Sequence, residues 1–193
     1  MKKVILYLPP SQEKILEGLP AIDLCQQALR EVEINIFSEL PKPQVLTDLY
    51  PQAKYYQIPE DMNPLFGVHK YSVNNNDVFN ITHFFDFVGN FKSAFMGLSF
   101  RSELRVGFKK GMHGHFYNRA LENPPSIFQE KIKKMFVETF DDLDISPVAA
   151  LKKRIEITRQ QDLTEKENPF RGANISELNN ISILSETPSD MSK

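Results

Sequence analysis

Between Lys92 and Arg119 the sequence holds six basic residues, Lys92, Arg101, Arg105, Lys109, Lys110 and Arg119, against one acid, Glu103. This local excess of positive charge sits in a chain of net charge −2. Planar arginine forks and lysine ammonium groups suit a phosphorylated or carboxylated ligand. Ordinary surface charges on a solvated face would give the same composition. His113 and His115 could add charge at lower pH. As a metal pair they lack a nearby acid or cysteine cluster, so ordinary loop histidines explain them and no metal site is expected. Asp86, at the end of an apolar run, could hold a backbone turn or orient a substrate.

Other chemistry is excluded by what is missing. The single cysteine, Cys25, lies in an apolar helical stretch and reads as a small core residue, so neither a disulfide framework nor a cysteine zinc site can form. No G-x-G-x-x-G follows the first strand, no P-loop occurs, and no G-x-S-x-G elbow is present. No cofactor is expected. A pI near 6.1 gives no global basic excess for nucleic acid. The apolar run Val4 to Leu8 is broken by Pro9 and Pro10, too short for a signal segment or membrane span. A cytoplasmic protein is expected.

The elements that must position these residues follow from periodicity. Residues 4–8 form an apolar run of the kind buried in a parallel sheet. Ile15, Leu16, Leu19, Ile22, Cys25 and Leu29 recur at helical spacing, with Pro20 tolerated only at a helix start or kink. Residues 32–37 return to strand character, which completes a β-α-β unit. A short helix is predicted over 41–50, a strand over 53–58, loop over 59–77, a strand over 81–87, a helix over 91–100, a strand over 104–108, loop over 111–118 and an amphipathic helix from 127 to 140. Alternating strands and helices predict an α/β fold, a single Rossmann-like domain with a mainly parallel sheet flanked by helices, over residues 1–145. From Ser146 onward 7 basic and 7 acidic residues accompany scattered apolar ones. Residues 146–193 are therefore expected to be a polar tail, helical at 148–157 at most. Ligands in such a sheet sit beyond the carboxyl ends of the strands. That places the loops Pro9 to Lys14, Val88 to Lys92 and Lys109 to Arg119 at the candidate site.

The run Asp86-Phe87-Val88-Gly89-Asn90-Phe91-Lys92-Ser93-Ala94 is similar to the "D-x-Q-G-x-x-[KR]-S-A" segment of glycosyltransferase family 9, the ADP-heptose:lipopolysaccharide heptosyltransferases. Arg105-Val106-Gly107-Phe108 resembles the family's "R-x-G-F" strand, Phe116-Tyr117-Asn118-Arg119 its "[FL]-Y-N-[RK]" element, and Leu19-Pro20-Ala21-Ile22 its "L-P-A-L". The four occur in order and cover roughly residues 1–145. The resemblance implies the N-terminal, acceptor-side half of a two-domain GT-B enzyme, acting without a metal on a phosphorylated lipopolysaccharide-core acceptor. A separate chain would then supply the ADP-heptose-binding domain. The work would be done in the cytoplasm at the inner face of the inner membrane, with peripheral membrane contact. The motifs and the basic stretch together give Asn90, Lys92, Ser93, Arg105, Lys109, Asn118 and Arg119 as the candidate substrate-binding residues.

Three positions depart from the pattern. Counting back from Leu19-Pro20-Ala21, the family's Gly-Asp pair falls on Glu13 and Lys14, the Asp being the family's base. Lys14 cannot replace that carboxylate, so Glu13 is the candidate base. The family's basic residue after the first strand falls on Leu8, and its Gln on Val88. A non-catalytic descendant, serving as an acceptor-binding or assembly module, is the alternative that these departures favour.

Overall fold

The computed structural model describes residues 1–75 and 77–140. The expected tail, and the last residues of the predicted domain, lie outside them. Six strands form one sheet: β1 (Lys2–Tyr7), β2 (Val32–Ser38), β3 (Lys54–Gln57), β4 (His83–Asp86), β5 (Leu104–Phe108) and β6 (Arg119–Leu121). Their order is β3-β2-β1-β4-β5-β6, and all five pairings are parallel. The order reverses between β1 and β4, which makes their carboxyl ends the topological switch point.

Alternation along the strands sorts the core into two layers. Val4, Leu6, Ile34, Ile36, Phe85 and Val106 face one side. There they meet α1 (Gln12–Gly18), α2 (Pro20–Ala28), α3 (Gln44–Leu49) and α6 (Phe128–Val137). Ile5, Tyr7, Phe37 and Phe84 face the other side, against α4 (Phe66–Asn74) and α5 (Phe91–Ser99). Gly97 lets α5 lie close to the sheet, since a Cβ there would fall 2.6 Å from the Phe84 ring. Burying a large apolar side chain contributes about 1.5–3 kcal/mol, so these two layers carry the domain.

Two elements differ from the sequence reading, and two are refined. The segment 59–77, expected as loop, contains α4. Its Pro, Asn and Asp residues cluster at the ends of the helix, where Asn63 Oδ1 accepts the backbone N–H groups of Leu65 and Phe66 at 3.0 Å each. β6 was hidden because three residues, two of them exposed, carry no alternation. The helical stretch after β1 is two helices, broken where Pro20 opens α2 with Leu19 as its N-cap. The loop over 111–118 contains a 3₁₀ turn at Met112–Phe116.

His83 is expected to make the fold sensitive to acid. Its ring stacks on Phe85 at 6.2 Å and tilts against Phe140 at 5.3 Å. Burial, then the nearby Lys2, lowers its pKa below the ordinary value, partly opposed by Glu103. A folded-state pKa below the unfolded one gives stability that is present above the unfolded pKa, about 6.5, and lost as pH falls through the lowered folded value. Urea midpoints should therefore drop on acidification below about pH 6.5, and His83→Gln should remove that component of the drop. An unchanged pH profile in the variant would exclude His83 as its source.

Candidate functional site

Asp86 ends β4 with only 1% of its surface exposed. One carboxylate oxygen accepts the backbone N–H groups of Val88 and Gly89, both at 2.9 Å. The other accepts Ser93 Oγ at 2.6 Å and Tyr117 Oη at 2.7 Å. Burial pushes the carboxyl pKa up, and the donors, Ser93 and Tyr117 foremost, pull against it. Gly89 makes the turn possible with φ of +69°. Asn90 then caps α5: its side chain accepts Ser93 N at 2.8 Å, and Ser93 Oγ accepts Asn90 N at 3.1 Å. Such a reciprocal cap satisfies two helix-end donors.

Two of the other quoted motifs, Arg105 to Phe108 and Phe116 to Arg119, join the same network. Tyr117 brings its hydroxyl to Asp86 by crossing under Gly107, where a Cβ would fall 2.3 Å from the ring. Arg105 spends its guanidinium on the backbone carbonyls of Phe116 at 2.7 Å and Ser102 at 2.6 Å. Asn118 Oδ1 accepts Arg105 N at 2.7 Å, and its amide donates to the Glu103 carbonyl at 2.6 Å. Three separated stretches of sequence are thereby tied to one buried carboxylate and to the start of β5.

The structure thus separates the basic residues that the sequence grouped. Lys92 is only 12% exposed, pairs with Glu39, and donates to the Glu60 carbonyl at 3.0 Å. Arg105 and Asn118 sit at the amino end of β5, away from the switch point. Arg119 is exposed, and its register with Val106 turns it to the α6 face, opposite Arg105, whose partner Phe84 faces α5. A single cationic wall from 88 to 119 does not form. Asn90 and Ser93 are occupied by the cap.

Two of the predicted residues reach open space at the carboxyl edge. Glu13 is exposed in the first turn of α1, just after the β1 loop, and no side-chain hydrogen bond or ion pair holds it among the described residues. Its neighbour Lys14 pairs with Glu17 at 2.6 Å and lies 5.4 Å from the Phe128 ring centre. Lys109 faces a polar cavity of about 310 Å³ lined by Gly111, Gly114, His115, Tyr117, Ala120 and Glu122, with Glu122 3.5 Å away. A second cavity, about 160 Å³ and largely apolar, lies at the opposite end of the sheet between α2, β2 and the residues after α3. Burial raises the Cys25 thiol pKa, which leaves it unreactive in the core. Among the described residues no group of three His, Cys, Asp or Glu gathers for a metal, and no helix is long and apolar enough to cross a membrane.

Tyr117, Gly107 and Glu39 were not singled out as functional from sequence. The signal for the first two was their presence inside quoted motifs. Glu39 carried none, because its partner lies far along the chain.

No protein-family model matches the sequence, and no curated protein matches it significantly. Solved structures do match the fold. The E. coli heptosyltransferase WaaC with ADP superposes with a TM-score of 0.55 at 15% identity, over 76% of this chain and 52% of that one. The same enzyme with ADP-2-deoxy-2-fluoro heptose gives 0.56 at 16% identity, over 76% and 53%. This chain has a heptosyltransferase-like fold. A family 9 glycosyl transferase from Veillonella parvula DSM 2008 gives 0.58 at 10% identity, over 75% and 43%. The chain spans about half the length of these glycosyltransferase structures. The fold that the sequence resemblance implied is thus the fold that is found.

Proposed function

We propose that this chain is the acceptor-binding domain of a glycosyltransferase of the heptosyltransferase kind, in lipopolysaccharide-core synthesis. It would take a phosphorylated core sugar at the carboxyl edge of the sheet, and a nucleotide-sugar domain on a separate chain would complete the reaction. The observation that carries the reading is the fold likeness to a heptosyltransferase solved with ADP, over about half of that enzyme. Glu13 is the proposed base, because it is the exposed carboxylate beside the β1 loop. It would take the proton of the acceptor hydroxyl as that oxygen attacks the sugar carbon and the nucleoside diphosphate leaves. Lys109, beside the polar cavity, is the proposed contact for an acceptor phosphate. Lys92, Asn90, Ser93, Arg105 and Asn118 act by holding the loops.

The test is a titration of the chain with a phosphorylated core oligosaccharide, followed by a transfer assay with ADP-heptose. The chain alone should bind and give no transfer, because both substrates must be held across a cleft. Lys109→Ala should weaken binding by about 1.5–3 kcal/mol, the worth of one charge-assisted contact. Absence of binding would remove the reading. With a donor domain supplied, unchanged turnover in Glu13→Gln would exclude Glu13 as base. The lysine at position 14, engaged by Glu17 and Phe128, favours the second reading of a non-catalytic sugar-binding module. Binding that persists without transfer, whatever donor domain is supplied, would select it.

A further inference from the structure

On one face of the sheet α4, α5 and the 3₁₀ turn at Met112–Phe116 lie side by side, with α5 in the middle. Lys92, in the first turn of α5, donates to the Glu60 carbonyl and so ties the approach to α4 to one flank of α5. Phe116 of the 3₁₀ turn packs on the other flank, its ring centre 5.3 Å from that of Phe91 and 5.7 Å from that of Phe95. All three elements turn large apolar side chains outward. Phe66 opens α4 at 82% exposure, and Met112 opens the 3₁₀ turn at 84%. On α5, Phe91 and Leu98 are exposed and Phe95 is partly buried. Their spacing of four and then three residues aligns them in one stripe along the helix. Exposed apolar residues scattered singly need no explanation, but a face that gathers them does.

The backbone under these side chains is held. Asn63 Oδ1 accepts the N–H groups of Leu65 and Phe66, the Asn90–Ser93 cap fixes the start of α5, and Gly111, at φ of +57°, turns the chain just before Met112. The charges beside the stripe are sorted by sign. Glu60 and Asp61, both exposed, stand on the α4 flank of α5. Lys92, the cation on that flank, is neutralised by Glu39. Lys109 and Lys110, both exposed, precede Met112 on the other flank. Lys109 is drawn toward Glu122 at 3.5 Å, and no ion pair holds Lys110 among the described residues. An apolar stripe thus runs along α5, with acid on one side of its start and base on the other.

We infer that two copies of this chain pair through this face, about a two-fold axis that runs along α5. In a two-fold contact, residue i meets residue j and j meets i. With the axis along α5, that helix meets its own copy, so Phe91, Phe95 and Leu98 pack on their equivalents. The same rotation lays α4 on the partner's 3₁₀ turn, so Phe66 of one copy meets Met112 of the partner subunit. It also carries Glu60 and Asp61 onto Lys109 and Lys110, once on each side of the axis. The face is therefore its own complement in charge as well as in apolar surface. A partner of one sign would be repelled by one flank, whereas a second copy offers each flank the opposite sign. The axis keeps both carboxyl edges at the same end of the dimer, so each switch point stays open. The inference stands apart from the sugar-binding reading, because its test contains no sugar.

Sedimentation velocity of the full chain at low salt, across the micromolar range, reads the pairing. Wild type should dimerise in that range, as interfaces of ordinary size do. Phe66→Ser with Met112→Ser should raise the dimer Kd about tenfold or more. The deciding variants reverse one charge each. Asp61→Lys and Lys110→Glu should each raise the Kd about tenfold, because a reversal acts at two symmetric contacts. Mixed in equal amounts, these two variants should pair with each other about as tightly as wild type does, because every contact of the mixed dimer again sets a cation against an anion. All these side chains are exposed, so far-ultraviolet circular dichroism should match wild type. Wild type that stays monomeric throughout the range overturns the inference. A mixture that pairs no better than either variant alone also overturns it, because the contact between copies would then lie elsewhere.

Discussion

Asp86→Ala is expected to destabilise the domain by about 4 kcal/mol, read as a lower urea midpoint at unchanged slope. The reason is the count of donors left behind. Val88 N, Gly89 N, Ser93 Oγ and Tyr117 Oη all donate to this one carboxylate. A buried donor without a partner costs about 1–3 kcal/mol, and the losses do not add in full. Asp86→Asn should recover little, because an amide offers one acceptor oxygen where the carboxylate offers two. Tyr117→Phe removes a single donor and should cost less, about 1–2 kcal/mol. A double-mutant cycle between positions 86 and 117 should give a coupling of about 1.5–3 kcal/mol. A cycle that closes at zero would show that the hydroxyl and carboxylate do not act together, and the network account would fail with it.

This network is also where the sequence was easiest to misread. Arg105, Asn118, Asn90 and Ser93 have the residue types of a ligand site, and side-chain chemistry alone does not say whether a donor meets a substrate or a carbonyl of its own chain. Here each meets its own chain. Arg105 closes on Phe116 and Ser102, Asn118 clamps the start of β5, and Asn90 and Ser93 cap one another. The family-like spacing was legible because it records this wiring: a turn, a cap and a cross-sheet tyrosine must lie at fixed separations to meet at Asp86. The strands from β1 to β5 were legible for a related reason, since residues such as Val4, Leu6, Phe84 and Phe85 are buried on both faces of the sheet and leave apolar runs. The helix α4 was not, because its start is made by Asn63, a residue that elsewhere marks a loop. Lys92 shows the same limit over a longer range. Its charge was visible and its partner Glu39 was not, because the two meet only once β2 and α5 lie on either side of the switch point.

The second large effect is expected at Gly107. Replacing it by alanine should cost about 3 kcal/mol, more than an added methyl usually costs at a strand position. The new Cβ would lie 2.3 Å from Tyr117 Cζ and 2.4 Å from Cε1. A clash with the end of a flexible side chain is normally cheap, because the side chain swings away. Tyr117 cannot do so freely: it is 5% exposed and its hydroxyl is held by Asp86 at 2.7 Å. Relief of the clash therefore either breaks that bond or displaces β5 from the 3₁₀ turn. The two routes are separable by experiment. In a Tyr117→Ala background the ring is gone, so adding the methyl at 107 should cost less than about 1 kcal/mol. If Gly107→Ala costs as much without the ring as with it, the glycine is required by the strand backbone and not by the tyrosine. If the cost disappears, the glycine of the "R-x-G-F" strand and the tyrosine of the next motif form one packing unit, whose purpose is to carry a hydroxyl to Asp86.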